Sequence, residues 1–196
     1  EVIVPKKIRC CGSLNHHLGK EDDAHQDFRN NINTWYDEHQ KGNLDAILSN
    51  TSGCGTTMKD YGFIFKDDEE MKKKAKVISE LTKDVSEYLS ESIKLNFKAK
   101  EKKYKIAYHS ACSMQHGQKV HDQPMSLLNK TDNQIMEIPE GHICCGSAGT
   151  YNILQTEIAK ELLKKKVNNI ESLKPDFIST GNIGCITQIS NGTKTP

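Results

Sequence analysis

Seven cysteines carry the residue types most able to do chemistry in this sequence: Cys10, Cys11, Cys54, Cys112, Cys144, Cys145 and Cys185. A thiolate is a soft metal ligand and a nucleophile. Seven is odd, which excludes a complete intramolecular disulfide framework. The opening residues 1–7 carry neither an initiator Met nor the apolar core of a signal peptide. The expectation is therefore a reducing compartment, where cysteine clusters mean metal or catalysis. Four of the cysteines, Cys112, Cys144, Cys145 and Cys185, match the ligand count of an iron–sulfur cluster and equally of a four-cysteine zinc site. Zinc ligands usually arrive in local pairs separated by about two to four residues, and no such pair exists here. Scattered ligands with a vicinal pair fit a cluster better. Adjacent cysteines on a regular strand face opposite sides, so a pair aimed at one centre needs an irregular loop. Gly12 and Gly146 supply the backbone freedom just after each pair. Weaker readings are a strained Cys144–Cys145 disulfide and a nucleophilic Cys112–His116 pair on a turn.

The chain aligns on itself. Cys10-Cys11-Gly12-Ser13 recurs as Cys144-Cys145-Gly146-Ser147, and 43 positions separate Cys11 from Cys54 where 40 separate Cys145 from Cys185. Asp45 and Asp176 each stand nine residues before the Gly-Cys cysteine. Two homologous units follow, expected at 1–95 and 96–196. Cys112 lies 32 residues before Cys144, and its counterpart would fall about 22 residues ahead of Glu1. The repeat thus implies the C-terminal portion of a longer chain.

The hydrophobic pattern indicates what must position these residues. Helices are expected over 24–40 (Phe28, Ile32, Trp35, Tyr36 inward), 56–65 and 151–170 (Ile153, Ile158, Leu162, Leu163, Val167 inward). A single long amphipathic helix is expected over 68–95, with Val77, Leu81, Val85 and Leu89 on one stripe. Strands are expected at 46–48, 105–109, 134–138 and 176–180, with a connection between units at 96–103. The expected fold is α/β: two related units with short parallel strands and flanking helices, their cysteines just past the C-terminal ends of strands. His109 and His142 are expected to support the cysteine loops; His16, His17 and His121 are expected at the surface. The runs Lys72–Lys74 and Lys164–Lys166 read as solvated helix faces.

Of 196 residues, 35% are hydrophobic and 27 Lys and Arg balance 26 Asp and Glu, a net charge of +1. That balance gives no support to nucleic-acid binding, and no run nears the roughly 18 apolar residues of a transmembrane helix. Residues 146–150 are Gly-rich before a helix but lack the Lys of a phosphate-binding loop.

The repeated Cys-Cys-Gly element resembles the cysteine-rich CCG domain. That domain occurs in heterodisulfide reductase, in anaerobic glycerol-3-phosphate dehydrogenase, and in the iron–sulfur subunits of lactate utilisation and glycolate oxidase. Four stretches are similar to the glycolate oxidase iron–sulfur subunit in particular: Thr51–Gly55 with Lys59–Gly62, Cys112–Lys119, Cys144–Tyr151, and Asn182–Cys185. The resemblance covers nearly the whole chain. It implies an electron-transfer subunit with an iron–sulfur cluster of the 4Fe–4S type, all seven cysteines as metal ligands and no catalytic residue on this chain. The implied partners are FAD-containing glycolate oxidase subunits, which oxidise glycolate to glyoxylate. Electrons would pass on to a quinone or other acceptor, at a cytoplasmic site with peripheral association at the inner face of the membrane. Two departures stand out. The broader family often closes each motif with Cys-x2-Cys, whereas Thr51 and Asn182 hold those first positions here, leaving at most four cysteines per unit rather than the five of a heterodisulfide-type cluster. The N-terminal ferredoxin-like domain of the family is absent from this chain. Alternative readings are a heterodisulfide-type reductase, a lactate or glycerol-3-phosphate dehydrogenase iron–sulfur subunit, and a structural zinc protein.

Overall fold

A computed structural model describes residues 1–42, 44–92, 95, 97 and 102–196. The chain divides into two compact units, Glu1–Val85 and Ser86–Pro196. The connection expected at 96–103 falls largely outside the described residues.

In unit one, α1 (Ser13–His17) leads into α2 (Glu21–Gln40), followed by β1 (Ile47–Ser49), α3 (Ser52–Ile64), α4 (Lys72–Leu81) and β2 (Thr82–Asp84). Three acids, Glu21, Asp22 and Asp23, open α2 where the helix dipole favours negative charge. Its apolar face carries Ala24, Phe28, Ile32 and Trp35 into a core shared with Met58, Tyr61 and Phe65 of the α3 region and Met71, Ala75 and Ile78 of the α4 region. Strands β1 and β2 pair in parallel, Ile47 opposite Thr82 and Ser49 opposite Asp84.

This pairing corrects the expected helix over 68–95. The helix stops at Leu81, β2 occupies 82–84, and α5 (Val85–Ser92) begins anew. The inward face of α4 is centred on Met71, Ala75 and Ile78; of the expected stripe, Leu81 packs against this core half-buried. A run of alternating charge and aliphatics satisfies helical periodicity, but a partner strand 35 residues earlier in sequence competes for its backbone hydrogen bonds.

Unit two is a three-stranded, all-parallel sheet in the order β4-β3-β5, from β3 (Lys105–Tyr108), β4 (Gln134–Glu137) and β5 (Phe177–Ser179). A π-helical turn (Ser113–Gln118) and α6 (Asp122–Asn129) connect β3 to β4. Helices α7 (Tyr151–Leu154) and α8 (Thr156–Glu171) connect β4 to β5, and α9 (Ile183–Ser190) follows β5. The α/β expectation, with short parallel strands and flanking helices, holds. Parallel strands place all their C-terminal ends on one edge, so the segments after Tyr108, Glu137 and Ser179 leave the sheet side by side.

The expected helix over 151–170 is broken at Gln155, and its inward face differs. Ile153 and Ile158 are exposed, while Ala159, Lys166, Val167 and Ile170 are buried. Among the described residues, no helix is long and apolar enough to cross a membrane.

Candidate metal centre

Each Cys-Cys-Gly turn is built by a glycine pressed against a helix. Gly146 has φ 94°, and a Cβ there would lie 2.5 Å from the backbone oxygen of Ala159 in α8. Gly12 has φ 75°, and a Cβ would lie 2.4 Å from the Phe28 ring and 3.2 Å from the Ala24 oxygen in α2. Both positions need left-handed backbone and leave no room for a side chain. In each unit the pair is thus turned off an extended path so that neighbouring cysteines need not diverge.

The last cysteine of each unit sits third in a helix, Cys54 in α3 and Cys185 in α9. The residues ahead of those helices, Thr51 and Asn182, are extended with nearly the same dihedrals (φ −134°, ψ 117° and φ −140°, ψ 121°). Asn182 caps α9, its Oδ1 accepting from the Cys185 N–H at 3.2 Å. The serine of each Cys-Cys-Gly-Ser meets the helix that carries the last cysteine, within its first two turns. Thr57 Oγ donates to Ser13 Oγ at 2.9 Å, and Gly184 has room for no Cβ because Ser147 Oγ lies 2.7 Å from where it would stand.

In unit two the four sulfurs form one connected group. Cys145 and Cys185 are buried, Cys112 and Cys144 half-buried. Cys112 donates to Cys144, and this contact together with burial pushes the Cys112 thiol up. Cys144 is held far below the ordinary thiol range by the Cys112 and Cys145 thiols and by the Gly146 N–H, which reaches its Sγ at 3.3 Å. Cys145, facing Cys144 and Cys185, is pushed up. Cys185 is brought down to about 6 by the Cys145 thiol and by His109. The four sulfurs are thus linked thiol to thiol, each moved up or down by its neighbours. Fully deprotonated, they are four soft anionic donors at one sheet edge, a fit to a thiolate-ligated metal centre.

Unit one brings three sulfurs together. Cys11 and Cys54 are half-buried and hydrogen-bonded; Cys11 is pushed up by Cys54 and burial, and Cys54 is lowered to about 7 by the Cys11 thiol. Cys10 is exposed but electrostatically coupled to both. Neutral groups pin the turn. Asn31, buried on the apolar side of α2, donates to the Cys10 carbonyl at 2.8 Å, and Tyr61 Oη donates to the Cys11 carbonyl at 2.9 Å.

His109 stands where the support role expects it. At the end of β3 it is buried, with ligand-capable nitrogen within 4.8 Å of the Cys145 and Cys185 sulfurs. His17 and His121 are exposed as expected, whereas two other histidine expectations need correction. His142 is exposed on the loop, because the chain before Cys144 turns outward there. His16 is half-buried against Phe28, their ring centroids 5.6 Å apart. His116 is exposed and Cys112 pairs with Cys144 instead, so the Cys112–His116 arrangement does not form. Asn31, Tyr61 and Lys166 went unrecognised in the sequence. Asn31 carried no signal beyond helical position, Tyr61 lay in the Lys59–Gly62 stretch without a role of its own, and Lys166 was hidden in a charged run.

These features, a glycine-locked cysteine pair and a third cysteine at a helix start, occur twice. A family model described as a cysteine-rich domain, CCG, matches residues 1–59 and 106–190. The chain belongs to this CCG cysteine-rich domain family. Within it, the chain is similar to the glycolate oxidase iron-sulfur subunit of Escherichia coli (strain K12), 37% identical over 194 residues, 99% of this chain and 47% of that protein. It is also similar to the probable glycolate oxidase iron-sulfur subunit of Bacillus subtilis (strain 168), 27% identical over 98% of this chain and 43% of that protein. Lactate utilization protein A of Geobacillus sp. (strain WCH70) is 24% identical over 99% of this chain and 79% of that protein. The chain spans less than half the length of the two glycolate oxidase subunits.

Proposed function

We propose that this chain is the cluster-bearing part of an iron–sulfur electron-transfer subunit in a flavin-dependent glycolate dehydrogenase. The observation that carries the reading is the convergence of Cys112, Cys144, Cys145 and Cys185 at one edge of the unit-two sheet. Similarity to the two glycolate oxidase iron-sulfur subunits supports the assignment of iron rather than zinc. Residues 1–95 and 96–196 are taken as two CCG units; the two compact units support the number, their boundary falling ten residues earlier, between Val85 and Ser86. The unit-two ligands are those four cysteines, and Cys10, Cys11 and Cys54 are the contribution of unit one.

A cluster of the 4Fe–4S type bound there supplies reversible one-electron transfer. The chain's own part is to hold it. The thiolates ligate, the Gly146 N–H stabilises charge on the Cys144 sulfur, and burial of Cys145 and Cys185 keeps water from that side. A FAD-containing partner oxidises glycolate to glyoxylate, and electrons leave its flavin through this chain towards a quinone or similar acceptor at the inner membrane face. No residue of this chain is assigned to bind glycolate.

A second reading is a lactate-utilisation iron–sulfur subunit, favoured by the lactate utilization protein A relatives. The hydroxy acid that reduces the chain through its co-purified flavoprotein separates the two. Thr51 and Asn182, each heading a helix where a further cysteine would stand, speak against the heterodisulfide-type reading.

The test is anaerobic iron and acid-labile sulfide analysis with EPR, on the unmodified protein and on Cys145→Ser. Iron and sulfide in near-equal amounts, with a signal lost in the variant, are expected. Zinc, or folded protein without iron, overturns the electron-transfer reading.

A further inference from the structure

Lys166 lies in the run Lys164-Lys165-Lys166, yet it is 0% exposed. A buried ammonium carries a penalty of several kcal/mol unless opposite charge and hydrogen bonds offset it. Its hydrogen bonds are long ones, to the carbonyls of Glu140 (3.4 Å) and Gly141 (3.5 Å), on the loop that runs into Cys144. Among the described residues no carboxylate lies within ion-pairing distance of it: neighbouring Lys165, not Lys166, takes the Glu140 carboxylate at 2.8 Å. The charges acting on Lys166 most strongly are those of Cys145, Cys144 and Cys185, which oppose the downward push of burial on the ammonium. Its ammonium is therefore anchored on the loop that enters Cys144.

His109 makes the same point from the other side. It is 2% exposed, its main-chain N–H donates to the Ser179 carbonyl at 2.8 Å, and its ring nitrogens make no close hydrogen bond to oxygen or nitrogen, the group they act on being the Cys185 sulfur. Such buried nitrogens are costly unless a neighbouring group satisfies them. The sulfurs of Cys145 and Cys185 lie within 4.8 Å, and a metal-bound thiolate is an acceptor for an N–H. Four cysteines already fill the four iron positions of a cubane, and neither imidazole nitrogen has the carbonyl or carboxylate partner that usually orients a metal-ligating histidine. A donor to sulfur, not a fifth ligand, is the role that suits it.

We propose that Lys166 and His109 form a cationic and hydrogen-bonding wall behind the unit-two centre that raises its reduction potential. This rests on reading the centre as iron–sulfur. Cluster potentials respond to net charge and to hydrogen bonds on the sulfurs. One electron enters from the reduced flavin and one leaves to the acceptor; no bond is made or broken. A fixed positive charge and an N–H aimed at sulfur both favour the state with the extra electron. Both are positioning residues.

The experiment is an EPR-monitored redox titration of the anaerobically reconstituted protein, with iron and sulfide measured on every sample. The unit-two signal is the one lost in Cys145→Ser. Lys166→Met is expected to shift the potential negative by about tenfold in the reduction equilibrium, which is ~59 mV for one electron. Lys166→Arg is expected to stay close to the unmodified value. His109→Leu shifts the same way by less, and His109→Gln, which keeps an N–H, recovers part of the loss. Should Lys166→Met fail to fold, the His109→Leu and His109→Gln pair decides on the same readout. Unchanged potentials at full iron and sulfide content overturn this proposal and leave the iron–sulfur reading intact. Absence of iron and sulfide from the unmodified protein overturns both.

Discussion

Units one and two build the same turn and surround it differently. In both, a glycine with positive φ abuts a helix, a serine touches the first two turns of a second helix, and that helix carries the last cysteine at its third residue. The surroundings then diverge. Unit one leaves Cys10 exposed and pins its turn with neutral groups, Asn31 and Tyr61, through backbone carbonyls. Unit two buries Cys145 and Cys185 and packs a lysine and an imidazole near them. The shared part is backbone geometry, which a short motif can encode. The divergent part is electrostatics, contributed by side chains far away in sequence. A repeat can thus keep a ligand frame while its two copies hold different chemistry.

The sharpest way to break that comparison is to remove one sulfur from each unit. Cys185→Ser is expected to abolish iron binding in unit two altogether, whereas Cys10→Ser leaves the unit-two iron untouched. Iron and sulfide per chain measure both. Equal losses from the two variants would mean that the units share one centre or that neither burial nor ligand number distinguishes them.

The glycines come next. Alanine at either position meets left-handed backbone, a cost of about 1–2 kcal/mol. Gly146→Ala adds a clash with the Ala159 main-chain oxygen, so about 3 kcal/mol or more is expected in all. Gly12→Ala meets mainly the edge of the Phe28 ring, which can turn, and about 2 kcal/mol is expected. Urea midpoints of metal-free protein check the order; a larger loss at Gly12 contradicts it.

Tyr61→Phe removes the hydroxyl that donates to the Cys11 carbonyl, and a loss of about 1–2 kcal/mol confined to unit one is expected. Hydrogen exchange that is faster around Cys11 and unchanged around Cys145 would sharpen the contrast between the units.

The smallest effect belongs to Asp68, ahead of α4. Its Oδ1 accepts from the Met71 and Glu70 N–H groups, and these, with Arg29, hold its carboxyl below the ordinary range. A depressed folded-state value means that its contribution is complete above the ordinary carboxylate range and fades as pH falls through the depressed value. Asp68→Asn is therefore expected to be slightly less stable than the unmodified protein near neutrality and to converge with it in acid. A gap that persists or widens in acid, followed by thermal melts, would contradict this cause.

Much of the frame was legible in the residues themselves. The doubled Cys-Cys-Gly-Ser, the Gly-Cys spacing and the apolar runs at 105–109, 134–138 and 176–180 were enough to expect parallel strands with cysteines at their C-terminal ends. The same pattern misled where two elements compete. Residues 68–95 have helical periodicity throughout, yet Thr82-Lys83-Asp84 pairs with Ile47-Leu48-Ser49. Of the inward face expected over 151–170, Val167 is buried, while Ile153 and Ile158, on either side of the break at Gln155, are exposed.

The sequence by itself determined the cysteine set, the two copies and the α/β class, because residue type, repetition and period are local properties of a string. Only the tertiary structure decided that Lys166 is inside while Lys164 and Lys165 are outside, and that His109 faces sulfur while His142 faces solvent. Burial depends on what packs against a residue. For Lys166 the loop at Glu140 and Gly141 packs against α8, and for His109 the Ser179 end of β5 lies alongside its backbone. Neither contact is written in the residues next to it.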